Sequence, residues 1–511
     1  MYMRDLFLHG NSKKGMCLLF IMMFLIGGGY AWHHLTQLSE CKTISAQEYR
    51  NLSNEMVAGF LMTFALGSGV LAITEGAPVE AQQSLTGLSM TKAQAQAGAE
   101  LHVRPILEDG YTEIHPAPLH PVLRWTRVDR AVMYDVQVLA KDEEDRSYRA
   151  IMPTQRTYTT GIELALPSYA TGQRFYYRVC GLDPEGNPVG AFSEIRSVPL
   201  DMAQTFKERP MPISDYAAGN GIELLYPVYD WIPVPGAEQY EVEILNDLPE
   251  NPEGIRPSVH RIGVYRTASS HQYDAEPRSG KKPIYWRVRA MDAQGKAVGI
   301  WSEARAVPII SRGHHEVATF GDSISHGGGS ISYSPTEWDF SYQHHLGFAT
   351  INLAQSGDTA ERGRARFDAD ILPFHPHYLL ILMGSNDLRA GTDADAIIAD
   401  LEWMRQRCLE NHIRPVFLTL PPLNPDHIQR AFQTPTADDW QEIRAAVNRY
   451  IEAQVHIDIT VGMEDEAGNL KGNLALDGLH LDPAGKQMMA QAINAAWPRI
   501  QHLPDSAWKN E

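Results

Sequence analysis

The sequence predicts a multidomain protein: two all-β sandwiches in tandem, followed by an α/β three-layer domain built on a parallel sheet. Three observations carry this. Residues from about 100 to 310 contain one pattern twice, and that pattern alternates apolar and polar residues with period two. From residue 315 it gives way to short apolar strands separated by amphipathic helical stretches. A chain of 511 residues also exceeds one ordinary core.

The N-terminal region reads as targeting rather than fold. Residues 16–32 (MCLLFIMMFLIGGGYAW) follow Lys13 and Lys14, and residues 56–73 (MVAGFLMTFALGSGVLAI) form a second uncharged run. Each is near the minimum length for spanning a bilayer. Val79 and Ala81 occupy the small-residue positions a signal peptidase needs, so residues 1–81 are expected to serve export, with cleavage after Ala81. A membrane anchor through the same hydrophobic segment is the alternative. Cys41 lacks the small residue expected just before a lipidated cysteine.

Composition narrows the partners. A formal net charge of -18 without any basic block excludes a nucleic-acid partner, since phosphate binding rests on Lys and Arg. Cys17, Cys41, Cys180 and Cys408 are scattered, which supports neither a disulfide framework nor a zinc knuckle and predicts idle thiols.

The two copies of the repeat align without gaps. VLRWTRVDRAVMYDVQVL (122–139) falls on VYDWIPVPGAEQYEVEIL (228–245), placing Trp125 over Trp231, Ala131 over Ala237 and Tyr134 over Tyr240. Residues 175–200 fall likewise on 284–309. Tyr134, Val136, Val138 and Tyr240, Val242, Ile244 mark half-buried strands. With its early Trp, Tyr-x-Val-x-Val strand, Tyr-Arg-Val strand and closing Ser-Glu, each copy resembles a fibronectin type III module, an immunoglobulin-like sandwich. The modules are expected over 98–202 and 212–311, as spacers or as glycan binders using aromatics such as Tyr176 and Tyr285; Arg178 and Arg287 are expected to cap a solvated face.

After residue 315 come HEVATFGDS, ATINLAQSG, HYLLILMGSND, IRPVFLTLPP and VHIDIT, with helices expected over 393–411, 438–454 and 483–501. In the first of these, Ile397, Leu401, Met404 and Cys408 share a face. Ligand sites of such sheets lie at the carboxyl ends of the strands, so the polar residues just after each strand are the candidates. They are Asp322 and Ser323, Gly357, Asn386 and Asp387, and finally Asp477 and His480.

A serine hydroxyl becomes a nucleophile only when a base takes its proton, a role suited to a histidine near neutral pH. The spacing Asp477-x-x-His480 lets one loop carry both the imidazole and the carboxylate that holds its tautomer. The blocks GDSIS (321–325), QSGDTA (355–360), GSND (384–387) and DGLH (477–480) stand in the order of the SGNH (GDSL-like) hydrolases, which residues 315–503 resemble. The resemblance implies a serine esterase with Ser323, Asp477 and His480 as catalytic residues. It implies an oxyanion hole from the backbone N–H groups of Ser323 and Gly357 and the amide of Asn386. Asp322 is expected to order the nucleophile loop and Asp387 to support Asn386 or its loop. No cofactor is required.

A metal at His314, His315, His344, His345, His375 or His377 is not expected, since adjacent pairs lack ligand spacing. Gly327–Gly329 reads as a mobile rim of the pocket. Trp338, Phe340 and Tyr342 read either as a sugar-stacking wall or as buried helix aromatics. An exported, acidic chain joining sandwich modules to an esterase suggests an acetylated glycan as substrate and a periplasmic, cell-surface or secreted location. A lipase or lysophospholipase, or a non-catalytic glycan-binding surface protein, are the rival readings.

Overall fold

The repeat seen in the sequence returns as repeated hydrogen bonds. Tyr134 Oη accepts the N–H of Val128 at 3.0 Å, and Tyr240 Oη accepts that of Val234 at 3.0 Å. Ser193 and Ser302 accept the N–H of Val179 and of Val288, again at 3.0 Å in both copies. In each copy a buried tryptophan, Trp125 or Trp231, packs on the same tyrosine. The computed structural model in which these contacts are seen describes residues 104–142, 144–167, 173–214, 223–329 and 333–508. The apolar runs at 16–32 and 56–73, the expected cleavage site, Cys17 and Cys41 lie outside the described residues.

The first repeat pairs β1 (Val122–Arg124) with β5 (Gly161–Glu163). Its larger sheet centres on β2 (Met133–Lys141), flanked by β3 (Tyr148–Ala150), β4 (Gln155–Thr157) and β6 (Arg174–Leu182). Strand β6 also pairs with β7 (Pro188–Val189) and β8 (Arg196–Pro199). In the second repeat β9 (Met211–Pro212) and β13 (His271–Tyr273) flank β10 (Val228–Ile232). Opposite lie β11 (Gln239–Leu245), β12 (Arg261–Thr267), β14 (Ile284–Met291), β15 (Ala297–Val298) and β16 (Arg305–Val307). All these pairings are antiparallel, so the upstream half of the described chain is all-β, with a separate apolar cluster in each repeat.

One expectation fails here. Arg287 does not cap a solvated face: it is fully buried, bonded to Glu243 at 2.8 Å and lying over the Trp301 ring. The reason is the longer segment 246–260 of the second repeat, which folds across the sheet and offers Arg287 the carbonyls of Asn251 and Arg256. In the first repeat the equivalent Arg178 is only half-buried, over Phe192 and bonded to Gln137.

The remaining sheet is parallel: β17 (His315–Gly321), β18 (Ile351–Asn352), β19 (Pro376–Leu382), β20 (Arg414–Leu418) and β21 (His456–Ile457), in the spatial order β18-β17-β19-β20-β21. The connections put α2 (Ala360–Asp370), α4 (Ala394–Glu410) and α6 (Trp440–Glu452) on one face, where α4 packs against both others, and the shorter α5 (Pro425–Phe432) follows β20. Helix α7 (Pro483–Gln501) packs on the opposite side, against the turns at Trp338–Phe340 and Tyr342–His345. Ile397, Leu401, Met404 and Cys408 of α4 are all buried, as their helical spacing requires. Among the described residues Cys180 and Cys408 are buried free thiols, and no helix is long and apolar enough to cross a membrane.

Strand order reverses between β17 and β19. In open parallel sheets the crevice beyond the carboxyl ends at such a reversal is where ligands bind. The turns leaving these two strands carry Ser323 and Asn386.

Candidate active site

At the end of β17, Gly321 lets the chain pass close to its neighbour, since a Cβ there would lie 2.1 Å from the Leu382 carbonyl. The next residue, Asp322, caps the short helix α1 (Ser323–His326) by accepting the N–H of Ile324 at 2.9 Å. Ser323 Oγ is thereby held 2.8 Å from His480 Nε2. On its other side His480 Nδ1 lies 2.8 Å from Asp477 Oδ2, while Asp477 Oδ1 accepts the N–H groups of Leu479 and His480 at 2.9 and 2.8 Å. Burial alone would raise the Asp477 carboxyl, but its pairing with the His480 ring and these backbone hydrogen bonds hold it below its ordinary value.

Gly357 follows β18 with φ +86, a conformation disfavoured for side-chain-bearing residues. The amide of Asn386, in α3 (Ser385–Ala390), donates one N–H to the Asp358 carbonyl at 2.8 Å. Asp358 is itself bonded to Arg366, which also reaches the Leu353 carbonyl. Asp387 accepts the N–H of Ala360 at 2.9 Å, so its carboxylate ties the Asn386 turn to the start of α2. Ser323, Asn386 and His480 are partly exposed and Gly357 is exposed, whereas Asp322, Asp387 and Asp477 are buried. The groups able to touch a ligand thus form an open edge backed by buried carboxylates. Burial raises Asp322 and Asp387 each to about 6.

Two buried groups beside this edge are not among the residues the sequence singles out. Lys486 of α7 is fully buried and donates to the Ile324 carbonyl at 2.6 Å, inside the turn that holds Ser323. It stands at helical spacing with Met489, Ile493, Trp497 and Ile500, all buried, so the apolar stripe of the helix is the signal that could have found it. His326, in the same turn, bonds to Ser356 and to the Tyr226 carbonyl, partners 30 and 100 residues away.

The glycine run is not an exposed rim. Gly327 and Gly328 are buried, a Cβ on Gly328 would lie 2.6 Å from the Tyr333 carbonyl, and one on Gly329 would strike the Phe340 ring. These glycines allow close packing of the 333–340 segment. Of the three aromatics beyond them, Phe340 and Tyr342 are buried and only Trp338 is exposed, which removes the sugar-stacking wall. His314, His315 and His345 bond to backbone carbonyls, and His377 to Glu316.

Residues 319–488 match the GDSL-like lipase/acylhydrolase family, so this stretch carries an acylhydrolase domain of ester-hydrolysing type. The chain is similar to the uncharacterized lipoprotein YqeF of Bacillus subtilis, 22% identical over 225 residues, covering 37% of this chain and 89% of that one. It is also similar to a GDSL-like lipase from Bacteroides thetaiotaomicron (20% identity, 36% of this chain and 88% of that one, TM-score 0.30). A lipase/acylhydrolase from Enterococcus faecalis is matched at 22% identity over 36% of this chain and 97% of that one, with TM-score 0.29.

Proposed function

We propose that the chain is an exported serine esterase that removes acetyl groups from carbohydrates through an acyl-enzyme. The observation carrying the esterase chemistry is the continuous chain Ser323–His480–Asp477, with both links at 2.8 Å. Ser323 Oγ attacks the ester carbonyl as His480 Nε2 takes its proton, and Asp477 holds the tautomer and stabilises the imidazolium. The oxyanion is met by the N–H groups of Ser323 and Gly357 and the second N–H of Asn386, each such donor lowering the barrier by ~3 kcal/mol. His480 then protonates the leaving alcohol, and water, activated by the same imidazole, releases acetate. Every step uses side chains and backbone of this chain, so no cofactor enters.

The carbohydrate reading is supported by the surroundings of the His480 loop. Asn424 and His427, which bond to the Gly478 and Leu476 carbonyls of that loop, belong to a recess of about 550 Å³ whose lining is polar and contains none of the three catalytic candidates. Such a wall suits a hydroxyl-rich alcohol better than an acyl-glycerol. Export is supported by the apolar runs after Lys13 and Lys14, and agrees with the lipoprotein name of the Bacillus relative. The two repeats we read as fibronectin type III-like modules at 98–202 and 212–311, ahead of a hydrolase domain at 315–503; their matching Trp, Tyr and Ser contacts support that reading.

The test is hydrolysis of p-nitrophenyl acetate, butyrate and octanoate, beside acetate release from acetylated xylan and pectin, with Ser323→Ala as control. Acetate release that vanishes in the variant is the expected result. Preference for octanoate would move the assignment to a lipase, and activity independent of Ser323 would overturn the mechanism.

A further inference from the structure

The second β repeat does not stop at its own core. Leu224 bridges to Asn352 in parallel and the Leu225 N–H donates to the Asn352 carbonyl at 2.9 Å, so residues 224–226 run along the free edge of β18. Leu225 and Tyr226 are buried in the core of the parallel-sheet domain, and the Tyr226 hydroxyl donates to Asp370 at 2.6 Å.

From that position the Tyr226 carbonyl meets His326 Nε2 at 2.8 Å. The opposite nitrogen, His326 Nδ1, lies 2.8 Å from Ser356 Oγ and 3.3 Å from the Ser356 backbone N–H. A backbone N–H can only donate, so Nδ1 is the acceptor and the ring proton sits on Nε2, donated to Tyr226. Burial, pulling His326 down to about 4, keeps the ring neutral and this tautomer in place. Tyr273, in β13 of the same repeat, lies with its ring centre 5.9 Å from that of His326. Ser356 is the residue immediately before Gly357.

We infer that His326 is a positioning residue through which the second β repeat sets the placement of the Gly357 N–H in the oxyanion hole, making that repeat an integral part of the esterase. This rests on the reading of Ser323 as nucleophile and Gly357 as oxyanion donor. A donor displaced by about an ångström loses most of its effect on the transition state while leaving substrate binding nearly intact. The effect therefore belongs in kcat and not in KM.

The test uses the full chain and p-nitrophenyl acetate, with kcat, KM, affinity for phenylboronic acid and thermal unfolding measured for each variant. His326→Gln keeps a donor near the Nε2 position and loses the acceptor for Ser356; its kcat should fall roughly 10- to 100-fold, with KM within about 3-fold and boronic acid binding weakened in parallel. His326→Asn keeps an acceptor near Nδ1 and loses the donor to the Tyr226 carbonyl; it should recover only part of that loss, and full recovery would show that the second repeat does not set the Gly357 N–H. Ser356→Ala, at a half-exposed position, should lose roughly 3- to 10-fold in kcat while folding normally. Wild-type kcat in His326→Gln and Ser356→Ala would overturn the inference, as would equal losses in Gln and Asn that follow thermal stability alone. Retained activity in Ser323→Ala would instead strike the reading on which the inference rests.

Discussion

Asp322 Oδ2 accepts the backbone N–H of Ser385 at 3.3 Å while its Oδ1 caps Ile324, so one buried carboxylate joins the turn of Ser323 to the turn of Asn386. An asparagine has one carbonyl oxygen for two N–H donors and would turn its own amide toward the other. Asp322→Asn should therefore destabilise the fold by roughly 1–3 kcal/mol and lower kcat. The deficit should depend on pH. Burial raises the Asp322 carboxyl from 3.8 to about 6, so between those values the folded state binds more protons than the unfolded and wild-type stability falls as pH rises. That gap is worth roughly 3 kcal/mol, and asparagine does not incur it. Urea unfolding at pH 4 and pH 7 should show the deficit shrinking toward neutrality; a deficit that grows would refute the account.

Asp477→Asn separates orientation from fold. The asparagine oxygen can keep the N–H groups of Leu479 and His480, while its amide would face His480 Nδ1 and force the ring proton to Nε2. Nε2 could then no longer accept from Ser323. A fall in kcat of roughly 10⁴-fold with little change in the unfolding midpoint is expected. A loss below about 10-fold would mean that Asp477 does not set the tautomer.

How much of this could be seen in the sequence follows from how local each signal is. Ser323, Gly357, Asn386 and His480 stand directly after apolar strands or in a compact loop motif, and short blocks record them. Ile397, Leu401, Met404 and Cys408 repeat at helical spacing, so the buried face of α4 is legible as well. Arg287 was misread because its burial depends on the segment 246–260, whose path over β14 no periodicity encodes. His326 is invisible for a related reason: its partner in the second repeat is the backbone carbonyl of Tyr226, which carries no side-chain identity, whereas the burial of Lys486 follows from its place on the apolar stripe of α7 with Met489, Ile493 and Trp497. The outer strands also differ in extent. The apolar stretches ATINLAQSG and VHIDIT contain only Ile351–Asn352 and His456–Ile457 as strand, each hydrogen-bonded along one side of the central ladder.

Lys486 yields a second pH experiment. Burial pulls its ammonium from 10.5 down to about 7, against the attraction of Asp322, Asp477 and Asp482. Between those values the unfolded state binds more protons, so this group's contribution to stability rises with pH. Lys486→Met removes the buried charge and also the donor to the Ile324 carbonyl, whose loss costs roughly 1–3 kcal/mol. The variant should be less stable than wild type at pH 9 and close to it at pH 6. A stability difference that is flat across this range would show that Lys486 titrates as an ordinary surface lysine.

The first β repeat reaches the site through Arg127. Its guanidinium lies 4.7 Å from the Phe340 ring centre and 5.5 Å from that of Tyr333, and pairs with Asp339 and with Glu337 at 3.5 Å. Tyr333 and Phe340 stack on each other and belong to one apolar cluster with Val132, Met133, Cys180 and Leu182 of that repeat. The segment that packs on Gly328 and Gly329, just past Ser323, is therefore fastened from outside the parallel-sheet domain. The carboxylates are about a third exposed, so the ion pairs add little, and stacking supplies most of an expected loss of about 1–2 kcal/mol in Arg127→Ala. Lysine keeps the charge and not the planar stack, so Arg127→Lys should recover less than half of it. Hydrogen exchange should quicken across 333–345 in the alanine variant and stay slow in α4, which lies on the other face of the sheet. Uniform quickening throughout the domain would show that Arg127 supports global stability and does not fasten this segment.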